Sequence, residues 1–176
     1  TFLKFNLSST LASGRPIFIS FNDTYIINED WWRLVTPMFI HFSLAHLSFN
    51  CLWIYILGPK IESYDGYFLF FSLVVFTSVS ANFTQYFFSG PSLFGGLSGV
   101  IYGMLGYCMT IEFEEQQKRY DLPPALYLFM IVWLLLGFIG ILDLFGFGSV
   151  ANFAHLGGLI SGIIFDMRTF LFQGLI

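Results

Sequence analysis

The sequence predicts an all-α protein that crosses a membrane several times, and three observations predict it. Hydrophobic residues make up 56% of the 176 residues and charged residues only 10%, against roughly 25% charged in an ordinary soluble domain. Mean hydropathy is +0.75. The apolar residues gather into five runs, and most charges fall between them. A water-soluble domain of this length needs a polar surface that this composition does not supply.

The runs are read in chain order against the roughly 20 apolar residues that a bilayer core requires. Residues 1–7, "TFLKFN" and Leu7, read as the last turn of a first helix, and the lack of an initiator Met reads as truncation. Residues 8–40 carry Pro16, Pro37, Trp31, Trp32 and Arg33, which suits a structured loop lying at the membrane interface, where Trp is favoured. The first complete span is expected over 41–57, closed by Gly58 and Pro59. A second is expected over 67–88, ended by Ser89, Gly90 and Pro91. The third, 98–112, is short. The last two are expected over 124–142 and 152–172, so that 41–172 holds five spans in one domain. Charges gather in 58–66 and 112–123, including Lys60, Glu62, Glu114, Glu115, Lys118 and Arg119. These segments share a side with Arg168, and the Lys/Arg bias between the two sides is too small to orient the chain.

The net charge of −4 includes no basic stripe, so nucleic acid is excluded as a partner. Cys51 and Cys108 lie in apolar runs and read as buried small side chains. No CxxC or HExxH motif is present, and neither a metal nor a cofactor is expected.

Polar groups inside spans are costly and tend to mark function. The three histidines are His41, His46 and His155. His46 and Asn50 are four apart and share a helix face. Ser98 opens the short third run in "GGLSGV", with Tyr102 one turn on. Each has an ordinary structural explanation: a serine bonding a backbone carbonyl, a histidine bonding a neighbouring helix or an ion, and His46 with Asn50 as interhelical glue. Read together they supply a nucleophile, a base and donors for an oxyanion, the last including free N–H groups at a helix start. Gly99, Gly103 and Gly106, with Gly158 and Gly162, have the small-residue spacing of close helix packing in lipid.

Three ordered blocks then carry a resemblance. "HFSLAHLSFN" (41–50), "GGLSGVIYG" (95–103) and "AHLGGLISG" (154–162) resemble the signature blocks of the rhomboid intramembrane serine proteases. "WWR" (31–33) and "GPKIES" with Glu62 resemble flanking family segments, and the match covers about residues 25–168. The resemblance implies the bacterial six-helix type of rhomboid bundle, whose first helix is largely missing from this chain and whose short central helix starts at the catalytic serine. It implies a Ser98–His155 dyad without an acidic third member, so neither Asp143 nor Asp166 is needed. His46, Asn50 and the Ser98 backbone N–H would form the oxyanion hole, and Tyr102 would stack on His155. Gly95 and Gly99 would flank the nucleophile, and Gly158 and Gly162 would let the last helix press on the Ser98 helix. Trp32, Arg33 and Glu62 would be supporting residues. Residues 143–152 would cap the site. Phe49 fits one side of a substrate gate, and Leu136 stands where a bulky aromatic is expected on the other.

The implied partners are transmembrane helices of membrane-protein substrates and the lipid bilayer, with the chain acting as a monomer. The implied setting is multi-pass in a bacterial inner membrane, with the site opening to the outer, periplasmic side. Two rivals are a non-catalytic rhomboid-like binder of transmembrane helices, which would usually lack the Ser or His, and a channel or transporter, which would usually show an inverted repeat.

Overall fold

The computed structural model describes residues 1–115, 118–142 and 150–173. Its helices are α1 (Leu7–Ser13), α2 (Leu44–Asp65), α3 (Tyr67–Ser89), α4 (Ser98–Glu115), α5 (Pro124–Phe138) and α6 (Asn152–Gln173). Short helical turns fill parts of 23–39. Among the described residues an isolated Phe5–Phe18 bridge is the sole β pairing.

The first residues differ from expectation. Residues 1–6 are not helical; Asn6 caps α1, its side chain accepting the Ser9 N–H at 3.1 Å. Phe2 and Leu3 are buried in a small cluster with Tyr25 and Phe94. The Tyr25 hydroxyl donates to the Phe2 carbonyl, and burial raises its phenol above the ordinary value. Aromatic packing therefore wins over helix continuation at this end.

The helix α2 also runs further than expected, through Gly58 and Pro59 to Asp65. A proline inside a helix removes a hydrogen bond and crowds the preceding turn, so something else must hold the last two turns. Leu57 and Ile61 are fully buried there. Asp65 accepts from Tyr120 at 2.5 Å and pairs with Arg119 at 2.7 Å, while Lys60 donates to the Tyr120 carbonyl at 2.6 Å. The Tyr120 N–H in turn donates to Glu112. The charges expected in a loop thus clamp the end of α2 to the α4–α5 connection. Gly66 alone separates α2 from α3, at φ 86°.

Helix α4 is the centre of the molecule. Residues 99–108 are buried without a break, more than two full turns, so protein surrounds it on every side. Its largest contact is with α6, and α3 packs against both. Glycines set these distances. A Cβ at Gly158 would strike the Gly99 carbonyl, one at Gly162 the Gly103 carbonyl, and one at Gly106 the Leu159 carbonyl. On the other face, a Cβ at Gly103 would strike Thr77 and one at Gly157 would strike Thr84, both of α3.

Helix α5 stops at Phe138, four residues earlier than expected, and Gly140 follows at φ 77°. Asn152 fixes this end, its amide donating to the Gly137 carbonyl at 2.8 Å. Among the described residues one helix, α3, is long and apolar enough to cross a bilayer by itself; α5 is apolar but shorter.

Two predictions follow from this packing. Gly162→Val places branched carbon against the Gly103 backbone carbonyl, so stability falls by about 1–3 kcal/mol, read as a lower midpoint of thermal unfolding in detergent. Burial and the Asp65 hydrogen bond raise the Tyr120 phenol above its unfolded value of about 10. Its contribution is complete below that value and is lost as pH rises beyond it. The midpoint should decline above about pH 10, and the decline should shrink in Tyr120→Phe.

Candidate active site

Ser98 is the first residue of α4 and His155 the fourth of α6. The glycine contacts between those helices bring the two side chains together, with His155 Nε2 2.7 Å from the Ser98 hydroxyl. The Tyr102 ring stacks on the imidazole, 4.7 Å between centroids and 28° between planes. The Tyr102 hydroxyl donates to the Met130 carbonyl of α5 at 2.9 Å. His155 and Tyr102 are buried, while Ser98 is partly exposed. A hydroxyl hydrogen-bonded to an imidazole is a pair in which the ring can take the nucleophile's proton.

The start of α2 faces this pair. Ser43 caps the helix by accepting the His46 N–H at 3.1 Å, which fixes the phase of the first turns. His46 and Asn50 then lie beside Gly96, which has φ 118°. A Cβ there would sit 2.6 Å from His46 Nε2 and 3.6 Å from Asn50 Nδ2. The Gly96 N–H donates to the Pro37 carbonyl at 3.0 Å, and Gly95 is wedged against Ile40 and Pro37. Asn50 is 1% exposed and its Nδ2 has no hydrogen-bond partner. A buried donor without a partner is costly, and this one lines the same cleft as Ser98.

That cleft encloses about 670 Å³, counting its mouth. Ser98, His155, Tyr102, His46, Asn50 and Gly95 lie along it. Its side wall is aromatic: Phe49 of α2 stacks on Trp133 of α5 at 5.1 Å, and Trp53 on Phe129 at 6.0 Å.

The comparison with known proteins follows the same outline. The Rhomboid domain profile matches residues 28–172. The chain belongs to the rhomboid family. It is 40% identical over 133 residues to Rhomboid protease GlpG of Serratia proteamaculans (strain 568), covering 76% of this chain and 46% of that protein. It is 38% identical over the same length to Rhomboid protease GlpG of Yersinia pestis (strain Pestoides F) and of Yersinia pseudotuberculosis serotype O:3 (strain YPIII). The chain spans about half the length of these curated relatives.

Leu136 and the supporting residues Trp32, Arg33 and Glu62 of this rhomboid lie away from the cleft. Leu136 does not line the cleft; the aromatic facing Phe49 is Trp133, one turn earlier on α5. The signal was present as matched pairs at spacing four, Phe49 and Trp53 on α2 with Phe129 and Trp133 on α5. Arg33 lies outside the cleft, bonding Asp30 at 3.1 Å and the Thr1 carbonyl at 3.3 Å, and Trp32 is exposed. Glu62 is exposed in the last turn of α2, at the opposite end from His46. Of the expected cap, residues 143–149 lie outside the described residues.

Sequence reasoning missed the polar residues of α3 that hold the frame. Asn82 donates to the Leu34 carbonyl at 2.7 Å, and Gln85 accepts the Ala154 N–H at 3.0 Å, next to His155. Their signal was the cluster of polar residues in "SVSANFTQ", within an otherwise apolar helix. Gly96→Ala should strain a positive-φ position and displace the His46 ring together. We expect a loss of about 1–3 kcal/mol for the backbone alone, read as a lower thermal midpoint.

Proposed function

We propose that the chain is the core of an intramembrane serine endopeptidase that cleaves transmembrane segments of membrane proteins. The observation that carries this is the 2.7 Å Ser98–His155 hydrogen bond under the stacked Tyr102 ring, inside a cleft that also holds the unpartnered amide of Asn50.

Ser98 Oγ attacks the scissile carbonyl while His155 Nε2 takes its proton. The developing oxyanion is held by the Asn50 amide, the His46 ring and the N–H of Ser98 at the α4 start, donors fixed before the reaction begins. His155 returns the proton to the leaving amine as the C–N bond breaks. Water then enters the cleft and gives a proton to His155. The resulting hydroxide attacks the ester carbonyl, and the proton passes to Ser98 Oγ as it leaves. Tyr102 does the orienting that a carboxylate does in the common triad: its ring packs one face of the imidazole and its hydroxyl is fixed to α5.

In this reading α2 to α6 all cross the bilayer, and the irregular segment between α3 and α4 is tolerated at depth because the cleft and packed protein shelter it. The starts of α2, α4 and α6 share the side bearing the cleft, and the clamp of Lys60, Asp65 and Arg119 marks the other. The cleft side is assigned to the outer face of a bacterial inner membrane. The exposed apolar residues before α2, among them Leu11, Ile27, Trp31 and Phe39, suit a loop lying in the interface. A substrate segment enters between α2 and α5, past Phe49 and Trp133, and unwinds to present an extended stretch to Ser98.

The test is cleavage of a fluorogenic transmembrane reporter in proteoliposomes, with fluorophosphonate labelling of the serine. Ser98→Ala and His155→Ala should abolish cleavage, and Ser98→Ala should abolish labelling. Asn50→Ala should lower kcat by about 10²–10³. Full cleavage by both dyad variants would overturn the proposal, as would wild-type protein that is labelled elsewhere.

A further inference from the structure

The cleft holds a second buried donor that the hydrolytic scheme does not use. The indole Nε1 of Trp53 has no hydrogen-bond partner, Trp53 is 7% exposed, and it lines the same cleft as Ser98. Trp53 follows Asn50 by three residues on α2, so the two share a face. A buried indole N–H ordinarily finds an acceptor. Here its ring is occupied on two sides by other rings, edge to Phe49 at 5.9 Å and stacked with Phe129 at 6.0 Å. Neither ring offers an oxygen, so the closed aromatic wall leaves the donor unsatisfied.

We infer that the Trp53 N–H is a substrate-binding donor, which takes a backbone carbonyl of the unwound segment next to the carbonyl held at Asn50. This rests on the proposed reaction and adds to it. The chemistry of the occupant follows from the donor. A helix that unwinds to reach Ser98 loses its internal hydrogen bonds and carries bare carbonyls into a low-dielectric cleft, where each needs a donor. Carbonyls on one side of an extended strand recur every two residues, about 6.6 Å. Asn50 and Trp53 stand about one turn apart on α2, roughly 4.5 Å along its axis, with side chains of different length to make up the difference. The orphan donor also raises the energy of the closed wall relative to the occupied one. Entry of the segment between α2 and α5 relieves an unmet hydrogen bond on each partner.

The test is Trp53→Phe, which keeps an aromatic ring between Phe49 and Phe129 and removes the N–H. With the reporter in proteoliposomes, KM should rise about three- to tenfold, the loss of one neutral hydrogen bond, with kcat within about twofold. Fluorophosphonate labelling of Ser98, which needs no neighbouring carbonyl, should proceed at the wild-type rate. The thermal midpoint of the empty protein should be unchanged or higher, because no satisfied bond is lost. An unchanged KM overturns the inference, as does a fall in the midpoint or in the labelling rate that matches the loss of cleavage. If the phenylalanine variant does not accumulate, 3-benzothienylalanine at position 53 removes only the N–H and gives the same readouts. Absence of Ser98 labelling in the wild type would instead overturn the reaction itself.

Discussion

The close approach of α4 and α6 is the constraint from which the site follows. Gly99 meets Gly158 and Gly103 meets Gly162 at distances that leave no room for a side chain on α6. Helices ordinarily pack with about 8–10 Å between axes, and a seam without side chains lets backbones come closer. Across this seam His155 Nε2 stands 2.7 Å from the Ser98 hydroxyl. Tyr102, one turn along α4, then falls against the same imidazole, so one interhelical distance positions three groups.

The second constraint is the satisfaction of polar groups inside an apolar frame. Most buried polar side chains here are used structurally: Thr77 bonds the Leu73 carbonyl of its own helix, Asn82 holds the Trp31–Leu34 turn, and Gln85 receives the N–H of Ala154. Against that background the unpaired amide of Asn50 and indole of Trp53 stand apart, since both open onto one cleft. Among the described residues His41 Nε2 and Asn152 Oδ1 are also buried without a partner, but neither residue lines that cleft.

How much of this was legible in the sequence depends on which force set each feature. The starts of α4 and α6 and the Gly spacing could be read from the sequence, because local spacing fixes them. The grouping of Ser98, His155, Tyr102, His46 and Asn50 came from the family resemblance of three ordered blocks, since 57 residues separate Ser98 from His155. The end of α2 could not. Proline at 59 argues for a stop, and what carries the helix onward is a clamp from Arg119 and Tyr120, more than 50 residues away in sequence. The start of the chain was misread for a similar reason: Phe2 and Leu3 are claimed by Tyr25 and Phe94, contacts no local periodicity encodes. Leu136, expected opposite Phe49, does not line the cleft, and the ring that stacks on Phe49 is Trp133, one turn earlier. Phe129 and Trp133 become intelligible only as partners of Trp53 and Phe49 across the cleft.

The unbroken burial of residues 99–108 has a consequence for how the protein would respond to its surroundings. A helix that touches lipid tilts or shifts when bilayer thickness changes, at a cost of fractions of a kcal/mol per Å of mismatch. Helix α4 is solvated by protein alone over this stretch, so such stress would reach Ser98 only through the elements packed on α4, among them α2, α3, α5 and α6. In a bilayer its length would be free of the thickness requirement that lipid imposes on the helices it touches, so the start of α4 at Ser98 would not need to reach the surface.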